Sequence, residues 1–152
     1  MKKIIQILSI ALMLAGVSAS AQVTSTISTG NWNTAGNWSN GVPGDGATAT
    51  INNSMTLNTD LSIKTGNYTV TDLGEIIDPA GGTNYSIDVR NSGILDVSGN
   101  VLIGGNLLVR NSAQFTVRGC DTMTVQGNVT FSQTSTVTVE SCAVLFIDGD
   151  MD

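Results

Sequence analysis

Three consecutive stretches in the C-terminal half carry the same apolar pattern, and this repetition constrains the fold more than any other feature. They run from Ser86 to Asn106 (SIDVRNSGILDVSGNVLIGGN), Leu107 to Asn128 (LLVRNSAQFTVRGCDTMTVQGN) and Val129 to Asp150 (VTFSQTSTVTVESCAVLFIDGD). Superimposed, they align Ile87 with Leu107 and Val129, and Val89 with Val109 and Phe131. Leu95, Phe115 and Val137 then coincide, as do Val97, Val117 and Val139. A third pair gives Val101, Met123 and Leu145, then Ile103, Val125 and Ile147. Within each pair the apolar residues sit two apart, the spacing that puts side chains on one face of a strand. Asp88, Arg90, Asp96, Thr116, Thr124 and Thr138 fall between them and are expected to face outward. Turn-forming runs such as Asn91-Ser92-Gly93 and Gly104-Gly105-Asn106 separate the pairs.

Three short strands per unit of about 20–22 residues describe a triangular coil. One coil cannot bury its own apolar residues, so the core exists only between stacked coils. The fold expected is an all-β, right-handed parallel β-helix, or β-solenoid; an up-and-down β-sandwich suits in-register repeats less well. Asn106, Asn128 and Asp150 recur at one corner and are expected to stack as a ladder. Upstream, Ala49, Ile51, Met55, Leu57, Leu61, Ile63, Tyr68 and Val70 continue the alternation as earlier coils. Asp72 to Asn84, around Pro79 and Gly81-Gly82, reads as a longer excursion from the stack. The solenoid thus covers residues 47–152, with residues 22–46 as an N-terminal cap segment. Met151 falls where Leu107 and Val129 fell, so a new coil starts there; the expectation is either a solenoid truncated at its C-terminal end or an open face meant for self-association.

The first residues, MKKIIQILSIALMLAGVSASA, read as a secretory signal peptide over 1–21. Lys2 and Lys3 supply the positive start, Ile4 to Val17 an apolar core too short to span a bilayer, and Ala19-Ser20-Ala21 the small-residue cleavage site. No later segment is long and apolar enough to cross a membrane as a helix. Cleavage would remove two of the six cations and leave four against twelve acidic residues, a net charge of −8. Nucleic acid is therefore not an expected partner, because phosphate contacts need clustered Lys and Arg.

Catalytic chemistry finds little to work with. The chain contains no His, which removes Ser-His and Cys-His nucleophile pairs and His-containing zinc sites. Asp88 and Asp96 are replaced in the next coil by Leu108 and Thr116, so no paired acid/base carboxylates form. Asp45 and Asp148-Gly149-Asp150 offer oxygen ligands, but not at the density of a calcium loop. No cofactor, metal or catalytic residue is expected. A Thr ladder for ice is interrupted at Asp96, and Asp121-Thr122-Met123 matches a short O-glycosylation pattern only.

The binding candidates are Trp32, Trp38, Arg90 and Arg110. Trp32 and Trp38 could stack on sugar rings, although plugging the N-terminal end of the stack is the stronger expectation. Arg90 and Arg110 recur in two Val-Arg-Asn-Ser copies and should project one coil apart; together they could grip a carboxylate or sulfate, against the default of solvated charges. Cys120 and Cys142 occupy the same place in adjacent coils, where strand spacing permits either a disulfide or a pair of stacked thiols.

The segment Gly30 to Asn53, GNWNTAGNWSNGVPGDGATATINN, resembles the opening of large bacterial secreted and surface β-helix proteins. It has a Trp, then Asn-Trp-Ser-x-Gly-x-Pro, then Gly and Asp residues leading into a strand. Those proteins are autotransporter-like or cargo of the type IX secretion system, and the opening is also similar to the G8 domain. The likeness extends from Gly30 to about Val70. It implies an extracellular β-helix displayed on a Gram-negative cell surface with a structural or adhesive role, and identifies no ligand; extracellular polysaccharide or other surface proteins are the partners to be expected there. The alternatives are a carbohydrate-binding module or the N-terminal part of a β-helical polysaccharide-degrading enzyme.

Overall fold

The computed structural model describes residues 21–79, 82–132 and 134–152. Apart from Ala21, the export signal lies outside the described residues. The chain winds into a parallel β-solenoid of about six coils, built from three parallel sheets. The first sheet stacks β1 (Val23–Ser25), β3 (Thr48–Ile51), β6 (Asn67–Val70), β9 (Ile94–Val97), β12 (Gln114–Val117) and β15 (Thr136–Val139). The second stacks β2 (Gly30–Asn31), β4 (Ser54–Thr56), β7 (Glu75–Ile77), β10 (Asn100–Ile103), β13 (Thr122–Val125) and β16 (Val144–Ile147). The third holds β5 (Leu61–Ile63), β8 (Ile87–Arg90), β11 (Leu107–Arg110) and β14 (Val129–Phe131). Among the described residues the only helical element is a 3-10 turn at Ala35–Asn37.

The repeat alignment is the pairing register. Leu107 sits between Ile87 and Val129, Phe115 between Leu95 and Val137, and Met123 between Val101 and Leu145. Alternation dictates this, because a one-residue slip would turn every apolar side chain into water. The inward columns form one continuous core from Trp32 to Val129, and Phe131, Val137, Leu145 and Ile147 of the last coils pack against it half-buried. Each fully buried side chain contributes roughly 1.5–3 kcal/mol of gross hydrophobic stabilisation. The core is therefore spread along the axis and has no single centre.

The corners are where the coils approach most closely. Gly99 lies over Gly74, and a Cβ there would overlap the carbonyl oxygens of Gly74 and Thr71. Asn91 and Asn111 adopt left-handed φ of 58° and 61°, a geometry Asn tolerates, and the Asn111 amide donates to Asn91 Oδ1 at 3.0 Å. The expected corner ladder is present and longer than the repeats alone indicate. Asp60 Oδ1 accepts from Ser86 N–H, Ser86 Oγ from Asn106 N–H, Asn106 Oδ1 from Asn128 N–H, and Asn128 Oδ1 from Asp150 N–H.

Two stretches depart from expectation. Glu75–Ile77 is a strand of the second sheet, paired with β4 and β10, so the excursion starts only after it. The cap segment contributes β1 and β2 to the first coil before the Trp-bearing loop closes that end. At the other end, Met151 forms a parallel bridge with Val129, which begins the next coil as the repeat alignment required.

Candidate functional surface

The N-terminal end is closed by aromatic packing. Trp32 and Trp38 are 1% and 3% exposed, with ring centroids 4.8 Å apart in an edge-to-face arrangement. The Trp38 indole N–H donates to the Trp32 carbonyl at 2.8 Å, so its polar edge is satisfied inside the core. Tyr68 stacks on Trp32 and donates its hydroxyl to Gly44 O at 3.0 Å. Burial, and secondarily the charge of Asp45, raises the Tyr68 phenol well above its ordinary range. These rings occupy the plug position and present no open face on which a sugar could stack.

The basic side chains are engaged in ion pairs. Arg90 and Arg110 stand in register one coil apart and project from the third sheet, yet both turn to Asp88. Arg110 binds it with two contacts, Nε at 2.9 Å and an Nη at 2.6 Å, while Arg90 lies 3.5 Å away. That hydrogen bond, with the Asp88 charge behind it, raises the Arg110 guanidinium further above its ordinary value. Arg118 meets Asp96 at 2.6 Å with its N–H not aligned on the carboxylate, so the contact is ionic more than hydrogen-bonded. Lys64 pairs with Asp45. A bound anion at Arg90 and Arg110 would have to displace Asp88, which the sequence pattern did not reveal as their partner.

Cys120 and Cys142 form a disulfide between the last two coils, with a Cα–Cα distance of 4.6 Å that matches the strand spacing. Both lie at an exposed corner. Asp148 and Asp150 are exposed, and among the described residues no cluster of three or more His, Cys, Asp or Glu could hold a metal ion.

Sequence reasoning missed two features. Asp78 is 3% exposed and takes an inward core position, in a column that runs Trp32, Leu57, Asp78, Ile103, Val125, Ile147. Its Oδ2 accepts the N–H groups of Tyr85 at 2.7 Å and Gly104 at 3.0 Å, while Oδ1 has no partner among the described residues. The carboxylate thereby stitches the base of the excursion to the next coil. The second feature is the outer face of the second sheet, where outward apolar residues collect: Ile77, Leu102, Val144 and Phe146. A shallow groove of about 350 Å³ runs across β7, β10 and β13, bordered by Glu75, Ile77, Asn100, Leu102, Thr122 and Thr124. The available signal was Val144-Leu145-Phe146-Ile147, a strand apolar on both faces.

Comparison with protein-family models, with curated proteins and with solved structures yields no match. The chain is a β-solenoid. What it can do chemically rests on its own surfaces, of which one is closed by aromatics, one is neutralised by internal ion pairs and one is open and apolar-polar.

Proposed function

We propose that the chain is an exported, non-catalytic structural and adhesive segment of a bacterial cell-surface protein. The observation that carries this reading is the unbroken registered stack, filled along its axis with side chains and closed at one end by Trp32 and Trp38. Such a rod is stiff because each inner coil is hydrogen-bonded to its neighbours on three sides, and it holds its outward residues at fixed intervals. The signal-like leader and the Gly30 to Asn53 opening support export and surface display. The non-catalytic reading is supported by the absence of His from the sequence and by the engagement of Asp88 and Asp96 in ion pairs.

The test is localisation in the source cells. Antibody raised against the folded chain should label intact cells or the culture medium, and the protein recovered should begin at Gln22. Retention of an uncleaved chain in the cytoplasm would overturn the proposal.

A further inference from the structure

The peptide bond between Asp78 and Pro79 stands where the ladder of the second sheet breaks off. Asp78 N–H still donates to Leu102 O at 2.9 Å, as the parallel register requires. The next bond of that ladder would run from Gly104 N–H to the Asp78 main-chain carbonyl. Gly104 N–H donates instead to the Asp78 side chain, 3.0 Å from Oδ2. The carboxylate has taken the carbonyl's place, and among the described residues the Asp78 carbonyl accepts no backbone hydrogen bond. Towards β4, Pro79 has no N–H to offer. Neither neighbouring strand therefore holds this peptide group. We propose that Asp78 cleaves its own bond to Pro79, so that the base of the excursion is an autoproteolytic site.

The hydrogen bonds assign the atoms their roles. Oδ2 is tied by the N–H groups of Tyr85 and Gly104, so Oδ1, without a partner among the described residues, is the oxygen free to react. Oδ1 attacks the Asp78 main-chain carbonyl carbon and closes a cyclic anhydride. Nucleophile and target belong to one residue, and tying Oδ2 removes the rotamers that would carry Oδ1 elsewhere. The C–N bond to Pro79 breaks, its electron pair goes to the proline nitrogen, and that nitrogen takes a proton from solvent. Pro79 is exposed, so solvent reaches it. Proline also makes the bond a tertiary amide, whose nitrogen accepts a proton more readily than that of an ordinary peptide bond. In the anhydride Oδ2 is a carbonyl oxygen polarised by the same N–H groups, and water hydrolyses it to free carboxyl groups. The sum is one peptide bond and one water consumed, with no cofactor. The cut ends stay in the stack, because β7 remains paired with β4 and β10, and β8 with β5 and β11. A covalent joint of the rod thereby becomes one held by strand pairing alone.

Self-cleavage is one event in the life of a chain, without turnover, and goes beyond the structural role without resting on it. The folded chain is incubated in mildly acidic buffer and, in parallel, in the same buffer with denaturing urea, and intact masses are read after quenching. A single cut is expected, giving pieces that end at Asp78 and begin at Pro79, about tenfold or more faster in the folded chain. Asp78→Asn keeps an acceptor for both N–H groups, and Pro79→Ala keeps the carboxylate. Both variants, each checked for an unchanged β-sheet circular dichroism spectrum, should stay intact. Hydroxylamine added during the reaction should leave a hydroxamate on Asp78, the mark of the anhydride. Cleavage no faster than in urea, cleavage of either variant at the unmodified rate, or pieces that carry no hydroxamate would each overturn the proposal. None of these results bears on where the cell places the protein, so they leave the localisation test independent.

Discussion

Replacing Asp78 separates the two contributions of a carboxylate placed in an apolar column. Asp78→Ala removes the acceptor shared by Tyr85 N–H and Gly104 N–H. An unsatisfied buried donor costs about 1–3 kcal/mol, and the Gly104 contact is fully buried while the Tyr85 one is partly so. Against this, the substitution relieves the desolvation of a carboxylate oxygen that has no partner among the described residues. The net expectation is a loss of about 2 kcal/mol. Asp78→Asn keeps an amide oxygen where Oδ2 stands, so both N–H groups retain an acceptor and the loss should be about 1 kcal/mol. With a urea m-value of about 2 kcal/mol/M, these losses correspond to midpoint shifts of about 1 M and about 0.5 M. The assay is equilibrium urea unfolding followed by circular dichroism and by Trp fluorescence, whose buried indoles report the N-terminal coil. Equal stability of Asp78→Ala and the unmodified chain, or a larger loss for Asn than for Ala, would show that the carboxylate does not hold the excursion in place.

Three further outcomes follow from the geometry. Cys120→Ser with Cys142→Ser should lower stability by about 3 kcal/mol, from the 22-residue separation that the disulfide closes, and a reducing agent should mimic it in urea melts of the unmodified chain alone. Gly99→Ala should lower the midpoint by more than any exposed substitution, since the added Cβ meets two backbone carbonyls; a silent variant would mean the coils can separate at that corner. The raised Tyr68 phenol keeps its proton in the folded state while the unfolded chain releases it near pH 10, so stability should fall as pH rises above that value. Tyr68→Phe should flatten this alkaline decline, and phenolate absorbance in the folded protein should show one tyrosine titrating late.

The register of the last three coils was legible because alternation and corner residues agree at every level there. Ile87, Leu107 and Val129 coincide on the repeat pattern alone, and the structure pairs them. Glu75–Ile77 was not legible as a strand. Three residues between Gly74 and Asp78-Pro79 show too little alternation, and their pairing is imposed by β4 and β10 on either side. Asp78 escaped notice because a carboxylate is among the last residues assigned to a core column. The role of Asp88 was hidden for another reason: Arg90 and Arg110 are two and twenty-two residues away in sequence, and only winding brings all three together. Phe146 stands in a run of four apolar residues whose alternation marks Leu145 and Ile147 as inward and gives the outward pair no separate signal.

The corner ladder has a direction. At every rung from Asp60 to Asp150, the earlier coil supplies the side-chain acceptor and the later coil supplies the backbone donor. The side chains of this ladder therefore all reach forward along the axis, while the backbone bonds beside them run the other way, from the earlier coil's N–H to the later coil's carbonyl. With Trp32 and Trp38 sealing the first coil, the rod has a sense along its axis, and a coil is distinguishable from an inverted copy by the side its corner acceptors face.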